Sequence, residues 1–224
     1  YKRQSEGFHD AAVAVVNDGK ICYATHSERY SKIKHDKHLD ITAASTAQLL
    51  CHDGKIAFYE RPWLKRTRQL FAGQKAWYRP RHLSLKPTQY YSHHKSHAAA
   101  AFQTSPFEQA ACVVVDSIGE WDTTSIWTAE YKDGKAVYKK RWSQWYPQSI
   151  GLWYSALTKW AGLRPLDEEY IFMGMAGFGN PVHMNVVERQ LHKNNHKGAR
   201  IGDYDKCDIA KSAERILQLE LNNI

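Results

Sequence analysis

The residues best equipped for chemistry lie between Tyr90 and Thr124. His93-x-x-x-His97 places two imidazoles four residues apart, which on a helix means one face and one turn of separation. At that spacing two neutral ring nitrogens reach a single cation about 2 Å away. No glutamate follows His93, so the His-Glu-x-x-His pattern of zinc proteases is absent. His94 falls elsewhere on the helix and reads as a solvent-facing or outlying group. Asp116 ends an apolar run, Ala111-Cys-Val-Val-Val115, and is expected at the carboxyl edge of a sheet, where open α/β sheets place ligands. Ser117 to Ser125 then reads as a small-residue turn whose amides and hydroxyls cradle phosphate. Two imidazoles and one carboxylate leave positions open on a metal, as a catalytic site requires. Taken singly, the histidine pair also fits an ordinary polar helix face, and Asp116 a strand-end turn former.

These residues need strands and helices to position them. Ala11-Ala-Val-Ala-Val-Val16 and Ile21-Cys-Tyr-Ala-Thr25 flank Asp18-Gly19, a hairpin signal because both turn residues need positive φ. A second copy follows: the Ala111 run, then Thr124 to Tyr131, then Asp133-Gly134 and Ala136-Val-Tyr138. Each strand-hairpin unit carries an acidic residue at one end of its first strand, Asp10 and Asp116 respectively. Helices are expected over Ile41 to Leu50, Ser92 to Phe102 and Ile150 to Trp160, from apolar spacing and caps. Two more are expected, one from Pro181 to about Leu191 and one from an Asp208 cap to Leu221. Lys55 to Glu60 reads as a strand, Tyr1 to Gly7 as a frayed start, and Asn194 to Asp205 as a polar loop.

Composition sets the limits. A hydrophobic fraction of 43% with 24% charged residues over 224 positions is ordinary for a globular α/β chain. No run approaches the roughly 18 apolar residues of a membrane helix, and no signal-peptide pattern opens the chain. A cytoplasmic location without membrane attachment is therefore expected. The four cysteines, Cys22, Cys51, Cys112 and Cys207, form no Cys-x-x-Cys pair; Cys22 and Cys112 read as small hydrophobes inside strands. The net charge of +8 raises nucleic acid as a partner. Its densest strip, Arg61 to Arg81, mixes cations with Trp63, Leu64, Leu70, Phe71, Trp77 and Tyr78. The strip is expected to pack on the fold as an elaborated connection, its cations forming a solvated face.

Several segments together resemble the O-carbamoyltransferases of the nodulation-factor and antibiotic-tailoring type. They are His9-Asp-Ala-Ala12, Ser27-Glu-Arg-Tyr-Ser-Lys-Ile-Lys-His-Asp36, Phe58-Tyr-Glu-Arg-Pro-Trp63 and Ser92-His-His-Lys-Ser-His-Ala-Ala-Ala-Ala-Phe102. The likeness continues through Val113 to Ser125, Gly151-Leu-Trp-Tyr-Ser155, Met173-Gly-Met-Ala176 and Asp208 to Leu217. The resemblance implies an actin-like (ASKHA, ribonuclease H-like) α/β fold with a first lobe at 1–105 and the start of a second at 106–224. It implies transfer of a carbamoyl group from carbamoyl-adenylate, made from carbamoyl phosphate and ATP, to a hydroxyl on a small molecule or nucleoside. It assigns a divalent metal (Fe, Mg or Mn) to His93, His97 and Asp116. The acceptor side falls to His9 and Asp10, and adenylate contacts to Gly119, Glu120, Thr123 and Thr124. It further implies a C-terminal domain following Ile224, so that this piece alone is expected to turn over negligibly; a homodimer is left open.

The chain departs from that family in two places. In Asp167-Glu-Glu-Tyr-Ile-Phe-Met-Gly174, Glu168 replaces a glycine and Ile171 a lysine, and His26-Ser27 stands where two acidic residues are usual. Nucleotide contact from the 167–174 loop is accordingly in question. Two other readings stand beside carbamoyl transfer: an ATP-dependent phosphotransferase or ATPase of the same superfold, and a non-catalytic nucleic-acid-binding module.

Overall fold

The computed structural model describes residues 2–7, 9–74, 84–191 and 198–224, and the chain divides into two units, Tyr1–Pro106 and Phe107–Ile224. Each is mixed α/β. In the first, β1 (Lys2–Ser5) lies between β2 (Ala12–Asn17) and β4 (Ile56–Phe58), with β3 (Lys20–His26) and β5 (Gln89–Tyr90) at the edges, giving the order β3-β2-β1-β4-β5. The β1–β2 and β2–β3 pairs are antiparallel, whereas β1–β4 and β4–β5 are parallel. Asp18 and Gly19 make the β2–β3 turn at φ 45° and 77°, as the sequence requires of an Asp-Gly hairpin.

The expectation of a frayed start is overturned: Lys2 to Ser5 is the central strand. It lacks an apolar signature because its inward residues are polar and carry their own partners. Buried Lys2 donates from Nζ to Gln48 Oε1 at 2.7 Å, and buried Gln4 donates from Nε2 to Glu6 Oε2 at 2.6 Å. Helix α1 (Glu28–Ser31) is one turn; α2 (Ile41–Leu50) is capped by Asp40, which accepts from Thr42 N and Ala43 N. Ala43 and Ala47 of α2 pack with Val13, Val15 and Ile56 as this unit's core. Cys22, expected inside, is exposed on edge strand β3.

The basic strip folds as α3 (Pro62–Phe71), turned opposite to expectation. Lys65, Arg68 and Gln69 are buried, while Leu70 and Phe71 are exposed and half-exposed Trp63 meets the Tyr90 ring edge-on at 5.2 Å. Trp77, Tyr78, Pro80 and Arg81 lie outside the described residues, as do residues 194–197 of the expected polar loop.

The second unit opens with an antiparallel meander, β6 (Gln109–Gly119), β7 (Asp122–Lys132) and β8 (Lys135–Trp145). Helices α5 (Ile150–Trp160), α6 (Glu169–Met175), α7 (Met184–Leu191) and α8 (Lys206–Asn222) follow and close a core of Trp153, Leu157, Phe172, Val187, Ile209 and Ile216. Two helix starts differ from the sequence reading. Pro181 precedes α7, which starts at Met184. The cap of α8 is Asp205, whose Oδ1 accepts from Cys207 N and Asp208 N, while Asp208 sits in the first turn and accepts from Asn180 N. Among the described residues no helix is long and apolar enough to cross a membrane.

Gly151 governs how α5 meets the sheet. A Cβ there would lie 2.7 Å from Ser117 Cα and 2.9 Å from Ser117 N, both backbone atoms that cannot step aside. Gly174 in α6 has open space around it. Gly151→Ala is therefore expected to lower stability by about 1–3 kcal/mol through overpacking, whereas Gly174→Ala raises it by up to about 1 kcal/mol through helix propensity. Urea unfolding of both variants checks the contrast; equal effects would mean that the approach of α5 to Ser117 is not tight.

Candidate functional site

Because β1, β4 and β5 run parallel, their carboxyl ends share one edge of the first sheet, and three loops with polar side chains leave from it. The β1–β2 loop carries His9 and Asp10, β4 is followed by Tyr59 and Glu60, and β5 leads through Ser92 into α4 (His93–Gln103). Open α/β sheets bind ligands at such edges.

Helix α4 buries His94, Ala98 and Phe102, a stripe at four-residue spacing. The adjacent face then holds His93 and His97, with Nε2 atoms 3.0 Å apart. His94 is thus buried, correcting its reading as a solvent-facing group. Two ligand atoms each about 2.1 Å from a cation stand roughly 3.0–3.4 Å apart, so the pair fits a metal without rearrangement. Ser96 Oγ fixes the helix by donating to Tyr59 O at 2.9 Å and Ser92 O at 3.2 Å.

Behind His93 stands a carboxylate that sequence reasoning passed over. Glu60 is 1% exposed, and its Oε2 lies 3.5 Å from His93 Nδ1. Lys65 Nζ donates to both its oxygens, at 3.0 and 3.3 Å. Burial pushes the Glu60 carboxyl up, but the His93 hydrogen bond and the Lys65 charge outweigh it and hold it below its ordinary value. The sequence signal was an acidic residue just past a strand; Lys65 and His93 become its neighbours only in the fold.

At the β1–β2 loop, Asp10 has φ 50° and faces two imidazoles: Oδ2 is 2.7 Å from His9 Nδ1, and Oδ1 is 3.2 Å from His35 Nδ1. His35, unassigned from sequence, is brought in by Ala11 N donating to Asp36 O and by His35 N donating to Glu28 Oε1. Burial would raise the Asp10 carboxyl; hydrogen bonds and charge from His9 and His35 prevail and lower it.

In the second unit Asp116 does not end its strand, which runs on to Gly119. Regular pairing stops after Val115↔Thr124 and resumes only at Gly119↔Asp122, so Asp116 sits in the irregular stretch of the ladder. Its Oδ1 accepts from Ser117 N at 2.6 Å, and Ser149 Oγ donates to Ser117 O at 2.7 Å, tying this stretch to the first turn of α5. The small-residue turn expected from Ser117 to Ser125 shrinks to Glu120, at φ 51°, and Trp121, because the Thr-Thr-Ser run is β7. Thr123 donates its hydroxyl to Gln144 O and Gln148 O. Thr124 Oγ1 is buried, with no hydrogen-bond partner among the described residues.

The departures also have structural readings. Glu168 accepts from Arg164 Nε at 2.9 Å and Nη2 at 2.7 Å, and Asp167 meets the same Nη2 at 3.0 Å. The acidic replacement therefore faces its own arginine. Ser27 is buried and accepts from Asp40 N, while His26 faces Glu28 at 3.4 Å.

The family model described as "Carbamoyltransferase N-terminus" matches residues 57–206. The chain belongs to the carbamoyltransferase family. Glu60, His93, His97, Asp116 and Thr124 fall within the match, and His9 and Asp10 precede it. The uncharacterized protein sll1178 of Synechocystis is 31% identical over 218 residues, covering 80% of this chain and 35% of that protein. The nodulation protein NolNO of Sinorhizobium fredii is 26% identical over 223 residues, covering 86% of this chain and 31% of its own length. This family member thus spans about a third of the length of these two relatives.

The Asp10 cluster gives a direct test. Its folded-state value lies below the ordinary aspartate value, so its stabilisation is present above the unfolded value and lost as pH falls through the folded one. Carboxyl-carbon NMR should show Asp10 titrating below an ordinary aspartate, and His35→Ala should move its midpoint upward. An unmoved midpoint would mean that His35 does not interact with Asp10.

Proposed function

We propose that this chain is the carbamoyl-transferring part of an O-carbamoyltransferase, which moves a carbamoyl group from carbamoyl-adenylate, itself made from carbamoyl phosphate and ATP, to an acceptor hydroxyl. The single observation that carries the reading furthest is the His93–His97 pair at the carboxyl edge of β4 and β5, in a chain of this family. A strand-hairpin unit in each half, β1–β2–β3 and β6–β7–β8, supports an actin-like duplication.

His93, His97 and Asp116 are the residues that would hold a divalent cation, Fe, Mg or Mn. When bound, the cation supplies Lewis acidity and charge neutralisation toward phosphate or the carbamoyl oxygen. The acceptor oxygen bonds to the carbamoyl carbon, the bond to adenylate breaks, and AMP leaves with the electron pair. The hydroxyl proton passes to the His9–Asp10 cluster. An aspartate held ionised is a weak base, so Asp10 orients the imidazole and His9 takes the proton through its other nitrogen. Gly119, Glu120 and Thr124 face the adenylate, Thr124 offering its buried hydroxyl, while Thr123 braces the β8–α5 connection.

A phosphotransferase of the same superfold would leave phosphate, not carbamate, on the acceptor. The nucleic-acid reading loses ground because Lys65 and Arg68 of the basic strip are buried. The test is mass spectrometry of hydroxylated acceptors incubated with carbamoyl phosphate, ATP, this chain and the C-terminal region of a full-length relative. One acceptor should gain a single carbamoyl group, with a His93→Ala/His97→Ala variant reducing the yield at least 100-fold, about 2.7 kcal/mol. Phosphorylated acceptor, or undiminished yield from the variant, would overturn the reading.

A further inference from the structure

We propose that Glu60 is a positioning residue for the imidazole pair. Its carboxylate, charge-balanced by Lys65, keeps His93 as the Nδ1–H tautomer, so that the Nε2 lone pair faces His97 and is open to a divalent cation. The cation part of this inference rests on the carbamoyltransferase reading; the tautomer part does not.

The placement follows from the fold. Glu60 comes two residues after β4, and His93 opens α4 three residues past the end of β5, so the parallel β4–β5 pair brings them to one sheet edge. Oε2 of Glu60 accepts from Lys65 Nζ at 3.3 Å and faces His93 Nδ1 at 3.5 Å. The latter distance is long for a hydrogen bond, as such contacts often are before a site is loaded. Tyr59 stacks edge-on to the His93 ring at 5.3 Å, limiting its rotation.

A neutral imidazole carries one N–H, and an ionised carboxylate can only accept. A carboxylate at Nδ1 therefore selects the proton there and leaves Nε2 bare. His97 Nε2 stands 3.0 Å from that nitrogen. Burying Glu60 and Lys65 together is costly, and an apolar pair of similar volume would stabilise the fold as well or better. The pair makes sense if its charge is used. Carboxylates behind ligating histidines set tautomer, orientation and basicity in this way, and their loss typically weakens metal binding by about 10–100-fold.

Long-range proton–nitrogen NMR of the metal-free wild-type protein at pH 8 reads the tautomer without any substitution. His93 should show a protonated Nδ1 and a bare Nε2; the opposite tautomer would overturn the proposal, whether or not any cation binds. Calorimetric titration with Mn²⁺ supplies the second arm. Glu60→Gln should weaken binding by about 10–100-fold, and Glu60→Asp should recover part of it. Because Glu60→Gln strands Lys65 in the interior, Glu60→Gln/Lys65→Met is measured beside it. Weakening in the double variant supports the proposal, and wild-type affinity in it would overturn it. If the wild type binds no Mn²⁺ yet shows the expected tautomer, the positioning role stands and the metal reading of the pair falls.

Discussion

The parallel pairing of β1 with β4 and of β4 with β5 is the constraint on which the chemistry of the first unit depends. Parallel strands point their carboxyl ends the same way, so the loops after β1, β4 and β5 must leave from one edge. Those loops deliver His9 and Asp10, then Glu60, then His93 and His97. An antiparallel β4 would send Glu60 to the opposite edge and part it from His93. The central strand that enforces this geometry is made of Lys-Arg-Gln-Ser, held by polar contacts rather than by an apolar run.

Buried charge is the second theme, and it acts through loops. Glu6, just past β1, accepts from Leu39 N at 3.1 Å, Ser84 N at 3.1 Å and Ser84 Oγ at 3.0 Å, pinning two distant connections to the end of the central strand. Glu60 plays the equivalent part beyond β4, with Lys65 and His93 around it. Such carboxylates are expensive to desolvate and directional once ionised. Their use next to the candidate site fits a need for fixed geometry more than for stability. In the second unit the same end is reached with small residues: Gly151 and Ser149 bring α5 against Ser117, next to Asp116.

Much of this was legible in the sequence wherever periodicity or a turn signature was strong. Both Asp-Gly hairpins, α2 and α5 lie where apolar spacing put them, and the histidine pair shares a helical face. Failures fell where polar residues go inside. Residues 2–5 carried no apolar pattern, and α3 buries Lys65 and Arg68 while exposing Leu70 and Phe71. His35 and Glu60 acquire partners 25 and 33 residues away, a relation that no local pattern encodes. Asp116 was found as a strand-associated carboxylate, but a strand that continues through an irregularity looks in sequence like one that ends.

The central claim is that His93 and His97 are ligands of one cation. Anomalous scattering at the manganese edge, from crystals of the protein grown with Mn²⁺, tests it most directly. The account predicts a single strong peak about 2 Å from Nε2 of both histidines. A peak elsewhere, or one that leaves out either imidazole, would contradict it.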